Sequence, residues 1–219
     1  MFDKIYSLLI AGGAWLTILE GLWATIQISF FALVLGTLLG AGVCAMRRSK
    51  HLILSIPARL YIAILRGSPV LMLLMLLYYV VFARSDLDAI VVAIITFGLN
   101  TAAYVAELMR AALDATDKGQ VEAMRTLGFS GLDAFRYVTL PQAAQIAKPV
   151  YQSTVINLIQ WTSVVGYVTI TDLTRVINNI SARTMQPLFM IIVGMILYLG
   201  LSYLVMGIFA LSDRKGAKA

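Results

Sequence analysis

One cysteine, one histidine and a charged fraction of only 13% remove most chemistries before any motif is read. Cys44 forms no disulfide within the chain and, inside an apolar run, reads as packing. His51 stands among Arg47, Arg48 and Lys50, the setting of a solvated loop and not of a ligand, so no metal site is expected. The phosphate-cradling pattern G-x-x-x-x-G-K-[ST] is missing, and so is a soluble stretch long enough for a nucleotide-binding domain. With few acids inside apolar segments, no catalytic constellation emerges, and a membrane enzyme is set aside.

Apolar residues fill the space. They make up 60% of the 219 positions, and mean hydropathy is +0.87. A soluble fold of this size cannot hide that much apolar surface, so the chain reads as a single all-α membrane domain over 1–219, in contact with lipid. Five stretches approach the roughly 20 residues a span requires, at about 22–46, 59–83, 88–110, 144–170 and 187–211. Ahead of them "IYSLLIAGGAW" makes a poor signal peptide and reads as a segment near the interface.

Lysine and arginine placement orients the spans. Arg47, Arg48, Lys50, Arg59, Arg66, Arg110, Lys118, Arg125, Arg136, Lys148, Arg214, Lys215 and Lys218 fall on one side; Lys4, Arg84, Arg175 and Arg183 fall on the other. The richer side is assigned to the cytoplasm, with the N-terminus outside and the C-terminus inside. Topology accounts for the net charge of +6, and no nucleic-acid partner is needed.

Polarity differs among the spans. The fifth has almost no polar group and suits lipid. The third carries Asn100, Tyr104 and Glu107 on one face, and the fourth carries Ser153, Asn157 and Gln160, with Trp161, Thr162 and Ser163 following. Polar groups in hydrocarbon face a partner helix or a water-filled route, so these residues are candidates for a solute path or for interhelical bonds. Arg110, three residues after Glu107, is a candidate ion-pair partner. In "RLYIAILRGSPVL", Gly67 and Pro69 predict a kink, with Arg66 reaching for the interface, and the three form a candidate gate or hinge.

Between spans three and four, "GQVEAMRTLGFSGLDAFRYVTLP" interrupts the apolar text. Gly119 and Gln120 lead a helical pattern that runs through Leu127; Gly128 stops it, and a second short amphipathic stretch ends at Pro141. Met124, Leu127 and Phe129 project from this pair of helices, with Phe135 nearby. Such a surface meets a partner or lies on the membrane.

The spacing of Glu122-Ala123-Met124, Gly128, Val138 and Leu140-Pro141 resembles the EAA loop of ABC importer permeases. The family pattern is EAA, three residues, G, nine residues, I, one residue, LP. "GLWATIQIS", "YIAILRGSPVL", "AAYVAELMRAAL", "LPQA" and "WTSVVGYVTITDLT" are similar to elements of the polar amino acid uptake subfamily. Gln160 and Trp161 stand where that subfamily usually carries Lys and Asp. The resemblance implies a type I ABC importer architecture with five spans. The loop at 116–141 would then couple to ATP-hydrolysing subunits through Gly119, Gln120, Glu122, Ala123, Met124, Leu127, Gly128, Phe129, Phe135, Leu140 and Pro141. It further implies two nucleotide-binding subunits holding ATP and Mg, a second permease, an extracytoplasmic amino-acid-binding protein, alternating access and a bacterial inner-membrane location. This chain itself would bind no cofactor. The competing reading is a self-sufficient secondary transporter or channel, which five spans without an inverted repeat fit poorly.

Overall fold

The computed structural model describes residues 13–216, and all its regular elements are helical. Helix α1 (Ala14–Arg48) begins well before residue 22, so Trp15 lies in the first spanning helix and not in a separate interfacial segment; the rest of the expected N-terminal segment, up to residue 12, lies outside the described residues. A broken pair follows, α2 (Leu52–Gly67) and α3 (Val70–Leu76), the latter extended by a π-helical turn at Leu77–Val81. Helix α4 (Ala89–Asp114) leads to the loop helix α5 (Lys118–Thr126). The chain then runs through α6 (Gly131–Ala134), a π-helical turn at Phe135–Thr139 and α7 (Leu140–Trp161), which tightens to a 3₁₀ turn at Thr162–Val168. Helices α8 (Leu173–Thr184) and α9 (Pro187–Gly216) complete the fold.

By length and composition, α1, α4 and Pro187–Ser212 of α9 qualify as spans alone, and the α2–α3 pair qualifies only taken together. That pair is not a gently kinked span: it bends by 108°. Ser68, held extended by the proline after it, ends α2, and Pro69 caps α3 from outside the helix. Two carbonyls freed at the end of α2 find donors: Ser68 Oγ donates to Ile64 O at 2.8 Å, and Asn100 Nδ2 donates to Leu65 O at 2.9 Å. The bend drives Leu74 into the core, where it is fully buried with Ile28, Ala32, Phe97 and Leu158.

Helices α1 and α4 approach closely because small residues line the seam. Gly36 lies against Thr101, and Gly40 lies against Val105 and the Ala102 carbonyl. Without a hydrophobic drive between helices in lipid, such close packing holds the pair together. Helix α9 exposes Leu188, Ile192, Met195, Ile196, Leu199 and Leu204, as a lipid-facing helix does.

Between the 3₁₀ turn and α9, α8 packs into the bundle. Val176, Ile177 and Ile180 of α8 are buried against α1 and α9. Its first turn is capped thoroughly: Thr174 N and Arg175 N donate to the Asp172 carboxylate at 3.0 Å each, and Leu173 N donates to Thr25 Oγ1 at 3.3 Å. Burial pushes the Asp172 carboxyl above the usual range, and those backbone donors pull it back.

Candidate functional site: the coupling loop and the flanking groove

Helix α5 starts at Asp117, whose Oδ1 accepts from Gly119 N at 2.8 Å. None of its residues is buried. It ends in a Schellman turn: Gly128 N donates to Arg125 O at 3.1 Å, Phe129 N donates to Met124 O at 3.2 Å, and Gly128 takes φ +87°. Ser130 and Asp133 then form a reciprocal capping box that opens α6. The second helix of the loop is not a separate short one. It continues through the π-helical turn into α7 without a break, so Phe135 and Leu140 lie on the overhang of a long helix. Leu127, Phe129, Leu132, Phe135, Tyr137 and Leu140 are all exposed.

The loop is tied back to α7 by Gln142. Its Oε1 accepts from Asp117 N at 3.2 Å, and its Nε2 donates to the Gln120 side chain. In the sequence Gln142 stands out only as part of "LPQA", with no role attached; Asp117 and the Ser130–Asp133 box were missed as well. The cap spacing S-x-x-D was the available signal for the latter pair.

The candidate path residues separate into three groups. Asn100 is 2% exposed and serves the broken end of α2, so it lines no open route. Glu107 sits in an ion cluster: it accepts from Arg47 and, at 2.6 Å, from Arg110, while Asp114 accepts from Arg48 and, at 2.7 Å, from Arg110. The Tyr104 and Trp161 rings meet with centres 5.2 Å apart and planes tilted by 46°, and the Arg66 guanidinium lies 5.1 Å from the Tyr104 ring centre. The Arg66 guanidinium is thus engaged by an aromatic ring of α4. At 1.5 Å per residue, Tyr104 is roughly 15 Å from the end of α4, and Arg66 lies level with it along the helix. Arg66, Tyr104, Glu107, Ile146, Val150 and Thr154 line a groove of 430 Å³ between α2, α4 and α7. Gly67, by contrast, has nothing within 4 Å of where a Cβ would stand, so packing does not demand glycine there.

On α7, Ser153, Asn157 and Gln160 are exposed, and Gln160 lines a separate recess with Thr174, Asn178 and Tyr198 of α8 and α9. Ser153 Oγ donates within its own helix, to Pro149 O at 3.1 Å. Bonding to neighbouring helices of the chain does not explain this stripe. Thr162 is buried and donates to Ile159 O at 2.7 Å, while Ser163 lines a second recess with Asp172 and Asn178.

Residues 32–218 match the family described as binding-protein-dependent transport system inner membrane component. The chain belongs to this family. It is 34% identical over 182 residues to a probable amino-acid ABC transporter permease of Bacillus subtilis, covering 83% of this chain and 80% of that protein. It is 30% identical over 209 residues to the histidine/lysine/arginine/ornithine transport system permease of Salmonella typhimurium, covering 89% and 88%. The crystal structure of an amino acid ABC transporter with histidines aligns with a TM-score of 0.82 at 29% identity, over 91% of this chain and 94% of that one. An inward-facing methionine ABC transporter aligns at 0.76 with 20% identity, over 91% and 95%, a likeness of fold alone. The chain has the all-α fold of type I importer permeases and is a multi-pass inner-membrane permease. The relatives are named as permease proteins of ABC transport systems.

Proposed function

We propose that this permease imports polar amino acids, with the loop at 116–141 docking into an ATP-hydrolysing subunit, in a complex of two permease chains and two such subunits that hold ATP and Mg. The carrying observation is the row of exposed Leu127, Phe129, Leu132, Phe135 and Tyr137 on a capped, rigid turn. Surfaces of this kind mark interaction sites. The names of the relatives supply the substrate class.

In this reading the chain crosses the membrane five times, counting the broken α2–α3 pair once and α7 as the fourth span. The arginine-rich ends of α1 and α4 and the loop are cytoplasmic, as is the C-terminus, and the N-terminus is outside. The polar stripe on α7 faces a second permease copy or a related chain across the path, which is why it stays unpaired within one chain. Arg66 offers a guanidinium to a substrate carboxylate, and the Tyr104–Trp161 pair supplies a stacking wall. With Gln160 and Trp161 in place of a lysine and an aspartate, no side-chain charge at those two α7 positions contributes to recognition. Asn178, Asn179 and Arg183 on the outer face of α8 are offered to an amino-acid-binding protein.

Affinity isolation from native membranes with mass spectrometry tests the assembly. An ATPase chain in about equal amount is the expected result; this chain alone under several mild detergents would sink the proposal. A second permease in the same sample would define a heterodimer. For the path, Asn157→Leu or Gln160→Leu is expected to lower uptake by roughly tenfold, the weight of one lost polar contact in a site shielded from water. Complex assembly should be unchanged, and loss of assembly with either variant would assign the stripe to subunit contact instead.

A further inference from the structure

At the end of the bundle nearest the coupling loop, a recess of 460 Å³ is lined by Arg47, Arg48, Arg59, Arg110 and Asp114. Two carboxylates serve this cluster. Glu107 pairs with Arg47 and Arg110, and Asp114 pairs with Arg48 and Arg110. Arg59 has no carboxylate within 4.0 Å among the described residues. Four guanidiniums thus face two carboxylates, and two positive charges stay uncompensated. Guanidinium does not shed its proton, so the recess attracts an anion.

The wall on which Arg59 stands narrows the choice of anion. Leu52 and Ile56, seven and three residues before Arg59, share its face of α2, Leu60 continues their row, and all three are exposed, at 66%, 48% and 57%. Such a face is covered by hydrocarbon in a membrane protein. A ligand that matches the whole feature carries an anionic phosphate and acyl chains together. A free phosphate ion matches only the arginines.

We infer that this recess holds the phosphate of an anionic phospholipid, with acyl chains running along Leu52, Ile56 and Leu60 of α2. Arg59 and Arg48 make charge-assisted bonds to the phosphate, as basic pockets between spanning helices do. The recess adjoins a second cavity, of 430 Å³, that shares Arg48 and Asp114 and reaches Lys118, Val121, Gly131 and Phe135. A lipid phosphate held by Arg48 therefore lies at the foot of the coupling loop. The inference rests on the reading of this end of the bundle as the cytoplasmic interface.

The test is native mass spectrometry of the purified permease complex after exchange into nanodiscs of equal phosphatidylglycerol and phosphatidylcholine. Phosphatidylglycerol is expected to be retained preferentially. Arg59→Gln and Arg48→Gln should each reduce that preference by roughly fivefold, the weight of one arginine near an anionic headgroup. Arg84→Gln, beyond the far end of α3, should leave it unchanged. Equal retention of the two lipids, or retention unaffected by both arginine variants, would overturn the inference. Inorganic phosphate is titrated as a separate arm; if it binds as tightly as phosphatidylglycerol and displaces it, the site belongs to a free anion and not to lipid. The readout needs neither transport nor an ATPase, so a chain that purifies alone and still retains phosphatidylglycerol would refute the proposed assembly and keep the lipid site. Membrane-impermeant labelling of His51→Cys in cells reports the side of the membrane independently.

Discussion

Gly40→Val is expected to destabilise the folded permease by about 2–3 kcal/mol, the range of an overpacked core site. A Cβ at Gly40 would stand 2.8 Å from Val105 Cβ and Cγ1 and 3.0 Å from the Ala102 carbonyl oxygen. The valine side chain has little freedom to retreat, and the carbonyl belongs to the backbone of α4. Relief therefore comes only by moving α1 away from α4. One turn along, Gly36 faces the same restriction, with Thr101 Cβ at 2.7 Å and the Gly98 carbonyl oxygen at 3.0 Å. A separation at either point also loosens the packing of Ile28 and Ala32 on Phe97. Gly42 provides the control: it is on the same helix, and nothing lies within 4 Å of its Cβ position. Thermal unfolding in one detergent should show a clear drop for Gly40→Val and little change for Gly42→Val. Equal transitions for the two variants would mean that α1 and α4 do not pack as described.

The sequence "GTLLG" spells this contact, since Gly36 and Gly40 are four residues apart in an apolar helix. Hydropathy passes over it because glycine adds nothing to an apolar stripe. The long apolar helices are legible for the opposite reason: α1, α4 and α9 announce themselves by composition. Helix α7 is visible as a span only through its polar face, and it falls short of the apolar threshold the other three meet. The bend of 108° is not legible. Ser68-Pro69 predicts a break but not its angle, which depends on packing that brings Leu74 beside Ile28, Phe97 and Leu158, residues distant in sequence. Asn100 shows the limit of periodicity most directly. It shares a helix face with Tyr104 by spacing, yet its amide turns to the freed carbonyl of Leu65, a group that exists only because α2 ends there. For Glu107 the spacing leaves an ion pair and a path contact both open; Arg47, sixty residues earlier in the chain, decides its surroundings and cannot be inferred from spacing.

Gly128→Val is expected to cut uptake by roughly tenfold while leaving the thermal stability of the bundle nearly unchanged. Gly128 takes φ +87°, and nothing lies within 4 Å of its Cβ position. Steric collision with neighbours is therefore not the cause. The penalty is local to the backbone, about 1–2 kcal/mol for an L-residue in the left-handed region, and greater for a β-branched one. A chain that escapes this strain gives up the bonds from Gly128 N and Phe129 N to α5. Leu127 and Phe129 then no longer point in fixed directions from the end of α5. Gly128→Asn is the discriminating variant, because asparagine enters the left-handed region more readily; it should retain more uptake than valine does. Gln142 decides which step suffers. It fastens α5 to the start of α7, the helix that carries the polar stripe and Trp161. A misaimed turn thus weakens the transfer of motion into α7 and leaves the groove around Tyr104 intact. Uptake assays in reconstituted vesicles should show a reduced maximal rate with half-saturation little altered, and ATPase activity less responsive to the binding protein. If valine and asparagine both matched the parent in rate and in ATPase response, the turn would be a passive connection, and force would have to enter α7 elsewhere.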